Sequence, residues 1–451
     1  MKLPAIVARH LSFRFTANAL LSFSILLGAA LVTFLWISAD QAERRYHSSS
    51  KGYGVILGPG DTSPLDLVLN TVFHLGQSQG IIPLSIYEQA HADRMGRRVG
   101  VRYAIPQVVG DSFRGFPIVG TTDEWFHRFS LGKNAKGKRV PLQFLRGKPW
   151  RFSHEDLLKE AREQAKERES LESGDKALHG KEHEPIPILW RQVVLGSRVA
   201  QKTGLGLGAR VIPSHGVGAT LEEHSEAPFS VVGILAPTGT PIDSALYLPI
   251  GAFFRLAGHE AVKKGEGAHK VAISSVIVDT KHPLGPMILR NLFQRKPEAQ
   301  AAIPAVEIRK LFEMVGDLTL ALRAIGFLVL IVAAIGIFNS LYLTMDERRR
   351  EVAIMRSLGA RRSQIFAIVL LEALAVGGTG ALLGILGAHG GVYLFGETLR
   401  SWTGVPFSAV DFGLRDLWLF IGVTLLSGLA GLLPGLSTLR TDVARYLSPD
   451  R

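Results

Sequence analysis

Four long runs of uncharged residues constrain this chain more than any other feature. Phe15 to Ala39 carries no charge, and neither does Ala324 to Met345. A third run, Ile365 to about Leu394, is interrupted only by Glu372 and His389; a fourth extends from Leu417 to Leu439, with Pro434 near its end. A helix needs about 20 predominantly apolar residues to cross a hydrocarbon core of roughly 30 Å, and each run reaches that length. The first run is too long for the apolar region of a signal peptide, about 7–15 residues, and no small-residue cleavage site follows it, so it reads as a retained anchor. Pro434 is compatible with a span because neighbouring helices re-satisfy the freed carbonyl. Composition agrees: 20% of the 451 residues are charged and 47% are hydrophobic, whereas a soluble domain averages about 25% charged.

The basic residues orient the spans. Lys2, Arg9 and Arg14 precede the first. Arg348, Arg349, Arg350, Arg356, Arg361 and Arg362 lie between the second and third, and Arg440, Arg445 and Arg451 follow the fourth. With four spans all three groups fall on one face, which the positive-inside rule makes cytoplasmic. Both termini are then cytoplasmic, and residues 40–323 form a large extracytoplasmic block. Within Lys2 to Arg14, the residues Leu3, Ile6, Val7 and Leu11 recur at helical spacing, as expected of a segment lying at the membrane surface.

The outer block is long enough for a core of its own. Valine- and isoleucine-rich runs bounded by glycine and proline predict strands at Gly115–Thr121, Gln192–Gly196, Phe229–Leu235, Ala245–Pro249 and Val271–Asp279. Helical patterns occur near Leu65–Leu75 and Pro283–Phe293. The expectation is an α+β domain, with room for two lobes. Ser153 to Glu184 breaks this texture: it is dominated by charge and reads as an insertion with a solvated helix and a loose tail.

Several chemistries are excluded. The chain has no cysteine, so thiolate metal sites and cysteine nucleophiles are absent. No G-x-x-x-x-G-K-[ST] phosphate cradle occurs, and Thr203–Arg210 (TGLGLGAR) reads as a turn. His259-Glu260 lacks the second histidine of a zinc-protease helix, and His179 and His183, four apart, have no third ligand of clear spacing. Neither a catalytic constellation nor a metal site is expected. The net charge of +12 is explained by the membrane flanks and does not call for nucleic acid.

The informative segment is Asp346 to Gln364, DERRREVAIMRSLGARRSQ. Asp346 and Glu347 suit a helix start. Val352, Met355 and Leu358 form a narrow apolar stripe, Gly359 suits the left-handed residue that ends a helix, and Ser363 suits the cap of the next. A short amphipathic helix over 346–360, held between two spans, is expected. Within the third span, Glu372 is an ionisable residue at membrane depth and so a functional candidate, able to reach the arginine-rich interface. Gly380, Gly384 and Ala388 make a small-residue face for close helix approach, within one subunit or between two.

Glu347 to Ala360, ERRREVAIMRSLGA, together with the glutamate of LLEALAVGGTGALLG, resembles the signature of the FtsX/MacB family of ABC transporter permeases. The resemblance extends to GFPIVGTT at Gly115–Thr122, to FSVVGILAPTGTPIDSALYLP at Phe229–Pro249, and to the tail PGLSTLRTDVARYLSP. It implies an α-helical membrane protein with four transmembrane helices and a large α+β periplasmic domain of the MacB-like type. The expected domains are 1–39 with the first span, 40–323 outside with the insertion at about 153–184, and 324–451 with the remaining spans and tail. The resemblance also implies a non-catalytic permease subunit in the inner membrane, paired with a second permease subunit. A separate ABC ATPase would carry ATP and Mg; this chain would hold no cofactor. The 346–360 helix would be the coupling helix, with Glu347, Arg348, Arg350, Glu351 and Arg356 as polar contacts, Val352, Met355 and Leu358 as apolar ones, and Gly359 as its stop. Export or lipoprotein extrusion is the first functional expectation. The alternative is an FtsX-like signalling subunit that activates a periplasmic partner such as a cell-wall hydrolase.

Overall fold

The computed structural model describes residues 3–13, 15–75, 80–91, 99–134, 136–172, 186–215, 228–256, 271–294, 296–403 and 407–439. The chain divides into two units. One comprises Met1–Glu43, Glu313–Trp402 and Pro406–Arg451; the other comprises Arg44–Phe312 with Thr403–Val405.

The first unit is helical. Its four helices long and apolar enough to cross a membrane are Phe15–Ser49, Pro304–Leu343, Arg362–Leu399 and Leu414–Leu436. They pack through Ile25, Ala29 and Val32 of the first span, Leu330, Ala333 and Ile337 of the second, Ala373, Val376, Ala381 and Ile385 of the third, and Leu419 and Val423 of the fourth. Many larger apolar side chains, Phe15, Phe23, Leu328 and Leu382 among them, point outward. Alanines among the packed residues allow close helix approach, and large apolar side chains turned outward suit a lipid solvent. The N-terminal surface segment is a helix, Leu3–Phe13, with Val7 buried against the unit.

The second unit is built on a twisted mixed sheet. Along it the strands run in the order Ala299–Ala302, Val55–Pro59, Ser275–Thr280, Val101–Phe113, Phe116–Thr121, Leu246–Pro249, Gln192–Leu195, Phe229–Leu235 and Phe144–Gly147. Two neighbouring pairs are parallel, Phe116–Thr121 with Leu246–Pro249 and Gln192–Leu195 with Phe229–Leu235. These strands all belong to one continuous sheet. Its longest strand, Val101–Phe113, turns back through Arg114 and Gly115, whose φ angles are 49° and 79°. Two positive φ values match the right-handed twist of the strands joined, and that is why glycine stands there. The core lies over the strand centres, with Ile118, Val193, Leu195, Phe229, Leu246 and Phe253 buried in one cluster. The expected run Val271–Asp279 is split into Ala272–Ile273 and Ser275–Thr280. Thr203–Arg210 connects a helix, Ser197–Thr203, to a strand, with the helix closed by Gly204 at φ 71°.

The charged insertion is less solvated than its composition implies. Its helix, His154–Glu172, opens with Ser153 and Asp156 exchanging bonds: the Asp156 N–H donates to Ser153 Oγ at 3.2 Å, and the Ser153 N–H donates to Asp156 Oδ2 at 2.8 Å. That reciprocal cap satisfies two helix-end donors. One face is then buried through Leu157, Glu160 and Ala161, and Arg255 forms a bidentate pair with Glu160 at 2.6 and 2.7 Å. Charge composition could not reveal this, because a carboxylate that has found its guanidinium is chemically the same residue as one in water. The tail of the insertion with His179 and His183, and the pair His259-Glu260, lie outside the described residues.

A second helix end carries a pH-dependent consequence. Helix Pro64–Phe73 is capped at its start by Ser63 and closed by His74, left-handed at φ 53°. Burial outweighs the hydrogen bond to the Asn70 backbone and brings the His74 pKa down to about 4. The unfolded chain then binds a proton below about pH 6.5 that the folded one refuses until about pH 4. Stability of this unit is therefore complete above about pH 6.5 and declines as the pH falls towards about 4, by at most about 3 kcal/mol since part of the residue is wet. His74→Asn, which tolerates the left-handed conformation, is expected to flatten that decline in melting curves taken across this range.

Candidate functional site

The expected coupling segment is not a separate helix. Pro304–Ser357 is one helix of 54 residues, running through Asp346 and Glu347 without a break. An acidic pair favours a helix start but does not impose one, and no proline or glycine stands between Ile337 and Asp346 to break the second span before it. The stop lies where expected. Gly359 has φ 95°, its N–H donates to the Arg356 carbonyl at 3.0 Å, and the Ala360 N–H donates to the Met355 carbonyl at 3.0 Å. These are the paired bonds of a left-handed helix closure, which satisfy carbonyls that would otherwise be orphaned. The third-span helix begins three residues later at Arg362. Its cap is not Ser363: the Arg361 N–H donates to Gln364 Oε1 at 2.8 Å, the third-position glutamine reaching back to the cap residue.

The side chains sort differently from the sequence pattern. Val352 is 5% exposed and Ala353 fully buried within their own unit, so Val352 is not presented to a partner. Met355 and Arg356 are half-buried, and Leu358 at 81% and Ile354 at 45% are the apolar groups on show. A three-residue stripe identifies a face but not what covers it, and here its first residue is buried within its own unit. Glu347, Arg348, Arg350 and Glu351 lie on the helical backbone, and their side chains lie outside the described residues.

Deeper in the same unit, Glu372 is 4% exposed and meets His10 of the N-terminal helix, Nδ1 to Oε1 at 2.7 Å. This contact joins residues 362 positions apart in sequence. The elbow that brings His10 there is fixed by Asn18, whose side-chain amide donates to the Leu11 carbonyl at 3.2 Å. Gly380 and Gly384 sit against the first span. A Cβ at Gly380 would lie 2.7 Å from the Ser22 carbonyl oxygen, and one at Gly384 would lie 2.6 Å from that of Leu26. Gly377, which the four-residue repeat does not contain, has the same role towards the fourth span, where a Cβ would lie 2.1 Å from Ser427 Oγ.

The link between the third and fourth spans is tied down at several points. Gln41 exchanges two bonds with the Ser408 backbone, both 2.7 Å, and Arg415 pairs with Asp40 at 3.3 Å. His389 stacks on Phe412 with ring centroids 3.8 Å apart.

A helical hairpin closed by glycine, four packed spans and a large mixed-sheet unit are the features against which relatives can be compared. The family described as FtsX-like permease C-terminal matches residues 323–443. Over that region the chain resembles the FtsX/MacB-like permeases. It is similar to the macrolide export ATP-binding/permease protein MacB of Psychrobacter arcticus, 26% identical over 49% of this chain and 33% of the relative. The MacB of Rhodospirillum rubrum is 31% identical over 40% of this chain and 29% of that protein. The pyoverdine export ATP-binding/permease protein PvdT of Pseudomonas putida is 32% identical over 35% and 25% respectively. The matched part of the chain thus spans about a third or less of those relatives' length.

Proposed function

We propose that this permease is the transmembrane subunit of an ATP-driven complex in the inner membrane, with both termini in the cytoplasm and the mixed-sheet unit in the periplasm. The grouping of arginines at the Arg348–Arg362 hairpin supports that orientation. A separate ABC ATPase, carrying ATP and Mg, docks on the hairpin, and a second permease subunit completes the pair. The observation that carries the reading is the unbroken helix Pro304–Ser357. Its part within the helical unit, residues 313–357, is about 70 Å long at 1.5 Å per residue, and a push at its glycine-closed end is carried along the second span. ATPase closure moves the rod, and the periplasmic unit moves a substrate or partner outside the bilayer. The export named for MacB and PvdT supports outward-directed work.

Leu358 is the residue on which to test this. Leu358→Glu puts a charge on the most exposed apolar side chain of the hairpin, and a buried interface anchor lost in this way weakens binding by at least about tenfold. Purification in mild detergent is expected to recover a nucleotide hydrolase with the wild-type chain and little or none with the variant, whose melting temperature stays unchanged. Equal recovery with both, or no hydrolase with either, overturns the reading.

A further inference from the structure

We propose that His389 and Asp416 form a proton-dependent latch that holds the link between the third and fourth spans onto the third. His389 is 4% exposed, and its Nδ1 lies 2.7 Å from the Ala409 carbonyl oxygen. A carbonyl only accepts, so Nδ1 carries the hydrogen. The other nitrogen, Nε2, is buried and lies 3.5 Å from Asp416 Oδ2. In the neutral ring that nitrogen is a lone pair facing a carboxylate, two acceptors with nothing to share. One further proton between them converts the contact into an imidazolium–carboxylate pair.

Asp416 cannot turn away, because the same Oδ2 accepts from the Gly413 N–H at 2.9 Å at the start of the fourth-span helix. Among the described residues, the other charged groups on the surrounding elements include Asp40 and Glu43 of the first-span helix, Arg415 beside Asp416, Asp411 of the link and Glu397 about two turns along the third span. Asp40 and Arg415 are engaged with each other at 3.3 Å. With the proton in place, the link is held at His389 as well as through Gln41, and the ends of the first, third and fourth spans are tied together. Without it, the tie to the third span rests on the Ala409 bond and the Phe412 stack. On the orientation proposed above this end faces the periplasm, so external acid tightens the latch.

The test does not depend on that orientation or on any ATPase. The chain has no cysteine and Val410 is 81% exposed on the link, so Val410→Cys carries a nitroxide label at a single place. In lipid nanodiscs, where buffer reaches both faces, the label's mobile fraction should rise several-fold from mildly acidic to mildly alkaline buffer. Asp416→Asn and His389→Gln, each made in the labelled chain, should each abolish that change. A wild-type label that does not respond to pH overturns the proposal. So does a response that survives in either variant, since the titration would then belong to another group.

Discussion

Arg255→Met should cost the mixed-sheet unit about 3–5 kcal/mol, the effect of leaving a buried charge without its partner. Glu160 is 1% exposed, and two of its bonds come from Arg255, at 2.6 and 2.7 Å. The Gln164 amide, 3.0 Å away, supplies one hydrogen bond but no charge. Met keeps much of the apolar volume of the arginine stem, so the loss isolates the electrostatics, apart from the guanidinium that lies 5.2 Å from the Trp190 ring. Heat unfolding followed by intrinsic tryptophan fluorescence would show a clear fall in melting temperature. The pair Glu160→Leu with Arg255→Met should recover most of it, because removing both charges costs less than stranding one. A single variant that melts like wild type would mean that the insertion helix is not docked through this pair.

Gly384→Leu should have an equally large effect in the helical unit. Even a Cβ there meets the Leu26 backbone oxygen at 2.6 Å and Ala29 Cβ at 2.8 Å. Backbone does not rotate aside as a side chain does, so the first and third spans must separate. Overpacking of this kind costs about 3 kcal/mol or more, and membrane helices have little apolar driving force to offset it. The expected result is poor recovery of monodisperse protein and loss of the His10–Glu372 contact, which depends on the same two spans lying together. Gly387→Leu, at a position where an added Cβ would meet no atom within 4 Å, should be tolerated. Equal behaviour of the two variants would remove the packing argument.

The features legible in the sequence are those with a local cause. Length and absence of charge identify the four spans, because the bilayer sets a length that each apolar run must meet by itself. A valine- and isoleucine-rich run ending before Ala236-Pro237 places the strand Phe229–Leu235 at its observed bounds, and Gly359 marks a helix stop because its φ of 95° excludes most side chains. The central strand Val101–Phe113 is harder to read. Pro106, Gly110 and Asp111 interrupt its apolar pattern, and pairing on both sides is what holds it extended.

Tertiary structure alone decided the rest. The acidic start expected at Asp346 was overridden by an uninterrupted helix, Val352 was buried within its own unit, and Glu160 was paired rather than solvated. Glu372 faces His10, and His389 faces Asp416. In each case the deciding partner comes from another element, and nothing in the residue's own neighbourhood of sequence specifies it. Periodicity and composition report how a segment meets its solvent, whereas the state of a buried polar group depends on which single atom lies opposite, and that is fixed only when the helices and strands are packed.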